Sequence, residues 1–139
     1  MGKRKIGLVI CLVGALFLPV TGCKKPAGPG GKAAIKGKIY VKDFNTSGYG
    51  GPISEYYAAG EPVYICYGDN NVVGTSVRTS PDGSYEFLYL RSGQYKVFAL
   101  SRDTSIHVVG SNKTIPVQVQ VNLTSNSQQF NLSDIVINK

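Results

Sequence analysis

The chain has no tryptophan, one histidine, one methionine and eight acidic residues among 139. General acid–base catalysis and metal ligation draw on histidine, carboxylates and cysteine. The single His107, in Ile106-His107-Val108-Val109, and a scatter of acids leave little to assemble. There is no Gly-rich phosphate loop, no zinc-ligand spacing and no Ser/His/Asp arrangement. Asp69-Asn70-Asn71 lacks the spacing of an EF-type calcium loop and reads as a hairpin turn. The expectation is a chain that is not an enzyme, with no catalytic residue, no cofactor and no metal. A helical period is also missing from Ile35 onward, which excludes an α-helical domain.

Charge is unevenly spread. The formal +7 includes Lys3, Arg4 and Lys5 at the start and Lys24, Lys25 and Lys32 soon after. Residues 35–139 hold nine Lys and Arg against eight Asp and Glu, close to neutral. A nucleic-acid binder concentrates basic residues on its folded surface, so no nucleic-acid partner is expected. Of three cysteines, Cys11 lies in the apolar leader and Cys66 in the run Val63-Tyr64-Ile65-Cys66-Tyr67. A cysteine in such a run is usually a small hydrophobe. Nothing in the spacing ties it to His107 as a catalytic pair.

The start of the chain carries a motif. Lys3-Arg4-Lys5 precedes an apolar segment, Ile6 to Val20, shorter than the 18 or more apolar residues of a spanning helix. Pro19 breaks it just before Val20-Thr21-Gly22-Cys23. This resembles a bacterial lipoprotein signal peptide ending in its lipobox. The resemblance implies a signal peptide over residues 1–22, cleavage between Gly22 and Cys23, and a diacylglycerol thioether on the Cys23 sulfur. Two or three acyl chains, palmitate among them, hold a protein on a membrane essentially permanently. Lys24, where Asp would favour inner-membrane retention, points to the outer membrane, and Lys24-Lys25-Pro26 lacks an acidic surface-export run. The expected place is therefore the bacterial cell envelope, at the outer membrane and facing the periplasm. Residues 23–34, dominated by Lys, Pro and Gly, read as a flexible tether, with the eleven residues after Cys23 spanning roughly 18 Å.

Residues 35–139 read as one domain of strands and turns. Ile35, Gly37, Ile39 and Val41 alternate with Lys36, Lys38, Tyr40 and Lys42. Strands follow at Val63–Tyr67, Val72–Thr79, Ser84–Leu90, Gln94–Leu100, a short Ile106–Val109, and Val117–Leu123. A last one runs from Phe130 to Ile137, with a bulge at Ser133-Asp134. Pro81-Asp82-Gly83 and Arg91-Ser92-Gly93 supply turns. The expected fold is all-β, an antiparallel sandwich of seven to eight strands. Lys36, Lys38 and Lys42 are expected to guard an edge.

Ile35 to Ile39 (Ile-x-Gly-x-Ile), then Thr79-Ser80-Pro81-Asp82-Gly83-Ser84-Tyr85-Glu86-Phe87, then Leu90-Arg91-Ser92-Gly93-Gln94-Tyr95-Lys96-Val97 form a pattern. It resembles the carboxypeptidase regulatory-like, or transthyretin-like, sandwich domain over residues 35–100, with Pro81 as an insertion. The resemblance implies the fold and says almost nothing of function: relatives serve as spacers, adhesin stalks, carbohydrate-associated modules and appendages. Some adhesin relatives form a Lys–Asn isopeptide bond; Lys36, Lys38 or Lys42 with Asn131 is the corresponding choice, but the position that is often acidic is Ala99.

The connection Asp43 to Gly60 is long for a loop and carries Phe44, Tyr49, Tyr56 and Tyr57. Exposed tyrosines give rigid contact area for sugars or proteins; alternatively these rings cap an open end of the sandwich. The expected role is a lipid-anchored, non-enzymatic envelope module with a binding or structural task. The alternatives are a carbohydrate-binding module using Tyr49, Tyr56 and Tyr57, and an adhesin or envelope-assembly subunit that adds a strand to a partner. Partners are thus the membrane and an envelope protein or glycan.

Overall fold

A computed structural model describes residues 26–44, 51–104 and 113–139. The signal peptide, Gly22, Cys23, Tyr49, His107 and the expected strand Ile106–Val109 lie outside the described residues. Among the described residues no helix is long and apolar enough to cross a membrane.

Nine strands are described: β1 Pro29–Asp43, β2 Ser54–Tyr57, β3 Pro62–Tyr67, β4 Val73–Arg78, β5 Ser84–Leu90, β6 Gly93–Arg102, β7 Thr114–Leu123, β8 Gln129–Asn131 and β9 Ile135–Asn138. They make two sheets of an unclosed sandwich. The second sheet is a plain antiparallel ladder in the order β4-β3-β6-β7. The first is built around β1. On one side β1 takes β5 along its first part and β2 along its last, both antiparallel. Against it also run β8 and β9, both parallel to it. The strand expected from Phe130 to Ile137 is therefore two short ones, and β2 lies inside the stretch expected as a loop. Seven of the eight expected strands lie among the described residues, and these two changes bring them to nine.

The core follows the alternation. Ile35, Ile39 and Val41 of β1 face Val63 and Ile65, Tyr85 and Phe87, Tyr95, Val97 and Ala99, Val121 and Leu123, Ile135 and Ile137, all buried. Cys66 is free and buried in β3, as the apolar run predicts. The Asp82-Gly83 turn works as its motif requires. Gly83 has φ +78°, and a Cβ there would meet Tyr57 Cβ at 2.7 Å and Ile39 O at 3.1 Å. Its carbonyl accepts the Ile39 N–H at 3.0 Å, and the Ile39 carbonyl accepts Ala58 N–H at 3.0 Å. Only glycine lets the turn seat this closely on β1 and β2.

Two expectations change. The stretch expected as flexible tether is part of the domain from Ala27 onward: β1 starts at Pro29, and Ala33 and Ala34 are fully buried. Its glycines serve close approach rather than looseness. A Cβ on Gly31 would lie 1.8 Å from the Leu90 carbonyl oxygen, so β1 can cross the end of β5 only without a side chain there. Gly28 is held too, its carbonyl accepting Arg91 N–H at 2.9 Å. The lysines of β1 do not guard an edge, because β1 is the central strand. They are matched to carboxylates on the outer face: Lys36 with Glu86 at 2.5 Å, Lys38 with Asp82 at 3.3 Å and Lys42 with Glu55 at 3.7 Å.

Candidate functional site

The outer face of the first sheet brings two tyrosines together with several charged groups. Tyr40 of β1 and Tyr57 of β2 are register partners, with rings edge to face at 5.2 Å and 72°. The Tyr57 hydroxyl donates to Asp134 Oδ2 at 2.9 Å, and the Tyr40 hydroxyl to Glu55 Oε2 at 3.2 Å. Lys38 Nζ stands 4.8 Å from the Tyr57 ring centroid, a cation over the aromatic ring. The hydrogen bond to the Asp134 carboxylate raises the Tyr57 pKa, because losing that proton would set two anions together. Burial, then the bond to Glu55, does the same for Tyr40. The patch therefore offers a half-exposed ring, with Tyr57 at 43 % of its full exposure, rimmed by two carboxylates and an ammonium.

Asp82 adjoins it through Lys38. Its carboxyl accepts from the Ser84 hydroxyl at 2.6 Å and from the Ser84 N–H at 3.1 Å. Those bonds, with Lys38, lower its pKa to about 2. Next to this lies a cleft of about 580 Å³ lined by Lys36, Lys38, Arg78, Ser80, Glu86 and Asn131 among others. A larger cleft, about 890 Å³, opens at the opposite end of the sandwich beside Pro26, Arg91 and Asn126.

The structure separates the expected tyrosines. Tyr56 and Tyr57 are neighbours in a strand and so face opposite ways; Tyr56 pairs with the inward-facing Val41 and is 42 % exposed. Phe44 directly follows β1, its N–H donating to the Lys139 carbonyl and its carbonyl accepting from Arg102. Lys36 is the register partner of Asn131, yet its ammonium sits on the solvent side with Glu86, so the pair is not enclosed as an isopeptide would require. Asp69-Asn71 is a turn, pinned by Lys96 Nζ donating to the Asp69 carbonyl and Asn71 Oδ1, both at 2.9 Å.

Two residues escaped the sequence reading. Tyr40 was visible as an outward position of β1; what was missing was its partner strand. Tyr89 was hidden. Alternation from Tyr85 and Phe87 would turn it inward, but φ at Tyr89 is +58° and the β1–β5 register shifts between Ala33 and Ile35. The irregularity swings Tyr89 outward to 70 % exposure and brings Leu90 in. Such a backbone in a non-glycine residue is strained.

No family model matches the chain, and no curated protein matches it. Among solved structures the chain is similar to one from Pseudomonas aeruginosa described as a "putative carbohydrate binding protein". The likeness has 13% identity and a TM-score of 0.45, covering 81% of this chain and 92% of that one.

Proposed function

We propose that this chain is a lipid-anchored, non-enzymatic binding module of the bacterial envelope, and that its binding face is the outer side of the first sheet. The lipobox resemblance supports the anchor, at Cys23. The packing of the N-terminal segment supports the orientation. Pro26 is three steps along the chain from Cys23, a reach of about 10 Å at full extension. The end of the sandwich holding Ala27, Arg91 and Gly93 then lies against the bilayer. The ends of β1 and β6, at Asp43 and Arg102, point away from it.

The observation that carries the binding reading is the Tyr40–Tyr57 pair with Glu55, Asp134 and Lys38 around it. An aromatic ring bordered by charged hydrogen-bonding groups suits a saccharide, whose C–H face stacks and whose hydroxyls bond at the rim. The test is binding of the chain to an array of bacterial glycans. Tyr57→Ala should lower affinity at least tenfold and Tyr56→Ala, on the other side of β2, should leave it within twofold. Equal losses in both variants, or no glycan bound by the parent chain, would reject the face. Fatty-acid labelling that is unaffected by Cys23→Ser would reject the anchor separately.

A further inference from the structure

Every open sheet must manage its edges, and the described edges here are managed very differently. In the first sheet β2, β8 and β9 have only three or four residues, and the pairing of β5 with β1 is broken by register shifts. In the second sheet β4 is six residues long and interrupted. Its register with β3 shifts between Ile65 and Cys66, the Tyr67 ring lies over Gly74, and Arg78 closes it. Short, bulged or charged edges resist pairing with another chain.

The remaining edge, β7, has none of these protections along Val117–Leu123. It pairs with β6 over ten consecutive residues, Thr114 to Leu123, without a shift. Among the described residues no strand pairs with its other side. Residues 114–133 contain no Asp, Glu, Lys or Arg at all. Pro116 interrupts donors only near its start. On the inner face Val117 and Val119 are left half-buried against the core, while Gln118, Gln120 and Asn122 face solvent.

We propose that β7 is a dimer interface and that its partner is β7 of a second copy of this chain. The sequence Val117-Gln118-Val119-Gln120-Val121-Asn122-Leu123 is self-complementary in an antiparallel pair. Centred on Gln120, it sets Val119 against Val121, Gln118 against Asn122 and Val117 against Leu123. Apolar residues meet apolar ones on the core side and amides meet amides outside. A charged foreign strand would find no countercharge, whereas a second copy brings no like-charge repulsion. The two-fold axis consumes both edges at once, so the assembly closes as a dimer instead of growing into a fibre. It joins two four-stranded sheets into one of eight and covers Val117 and Val119.

The test uses the full chain in detergent. Residues facing each other across an antiparallel pair have Cα atoms about 4.5–5.5 Å apart, within disulfide range. Gln120→Cys should therefore give a disulfide-linked dimer under mild oxidation, mapped by mass spectrometry to residue 120 on both chains. Thr75→Cys on β4 serves as control and should stay monomeric. The double variant Gln118→Lys with Asn122→Lys sets ammonium against ammonium twice; it should halve the sedimenting protein mass while far-ultraviolet circular dichroism is unchanged. Equal cross-linking at positions 75 and 120, none at 120, or a parent chain that sediments as a monomer would overturn the proposal. A monomer would instead leave β7 to a strand of another protein.

Discussion

The two sheets solve the same problem by opposite means. The first is organised around a central strand. β1 has partners on both sides, its Lys36, Lys38 and Lys42 each meet a carboxylate, and its beginning is clasped by Arg91 and Leu90. The second is a regular ladder. Its outer face carries the stacked pair Tyr64–Phe98, 5.1 Å apart, and a row of amides on β7, and it ends on an uncharged edge. Tolerance to substitution differs between them accordingly. At Gly31 in the first sheet, the Leu90 carbonyl leaves no room for a side chain. In the second, the outer positions are open, and what they affect is association.

The sharpest break of that contrast is Gly31→Val. Its Cβ would fall on the Leu90 carbonyl, a backbone atom that cannot turn aside. Overpacking and displacement of β1 from β5 should cost more than about 3 kcal/mol, read as a collapse of the urea midpoint. Thr75→Val, on the exposed edge of the second sheet, should stay within about 0.5 kcal/mol. A comparable loss in both would mean that the first sheet is not the more tightly constrained of the two.

Between these lies the residue that ties the sheets together. Tyr95 of β6 is buried, and its hydroxyl accepts Gly28 N–H at 3.0 Å while donating to the Arg91 carbonyl at 2.7 Å. Tyr95→Phe strands both, at a cost of about 1–3 kcal/mol. Amide exchange at Gly28 should accelerate well before exchange in β3 does. If both sites accelerate equally, the hydroxyl supports the whole domain and is no local clasp.

Much of this fold was legible from alternation alone. The expected strands at Val63–Tyr67, Ser84–Leu90 and Val117–Leu123 match β3, β5 and the core-facing part of β7 to within a few residues, because each has one buried face. Composition misled at residues 27–34. Glycine is read as looseness, but the same lack of a side chain lets β1 pass close against the Leu90 carbonyl at Gly31, and only the path of Leu90 distinguishes the two uses. The candidate site was half legible. Tyr57 stood out as an aromatic residue in a long connection. Tyr40 and Asp134 join it through β2 and β9, and a single sequence carries no signal for such distant pairings.

Tyr85 gives a smaller effect with the opposite sign. It is buried at 4 % exposure, and among the described residues its hydroxyl has no hydrogen-bond partner. That oxygen would be 2.6 Å from a Cβ on Gly37. Burial raises its pKa strongly, with the Asp134 charge adding to it. An unpartnered buried hydroxyl carries its full desolvation cost, so Tyr85→Phe should be neutral or stabilising by up to about 1 kcal/mol. It should also relieve part of the loss in Gly37→Ala, where the two changes are measured alone and together in a double-mutant cycle. Destabilisation by Tyr85→Phe would show that the hydroxyl bonds to an ordered water.

The smallest expected effect is the acid response of the Asp82 turn, and its sign follows from linkage. Ser84 and Lys38 lower the Asp82 pKa in the folded chain to about 2, below the ordinary 3.8. The unfolded chain therefore binds this proton first as pH falls. The stabilisation is fully present above pH about 4 and fades as pH drops through about 2. Because Asp82 is open to solvent, salt should shrink the Lys38 share while leaving the Ser84 bonds in place. Asp82→Asn should flatten this segment of the stability–pH curve and leave the curve above pH 5 parallel to that of the parent. A slope between pH 4 and 2 that survives Asp82→Asn unchanged would remove the turn from the acid response.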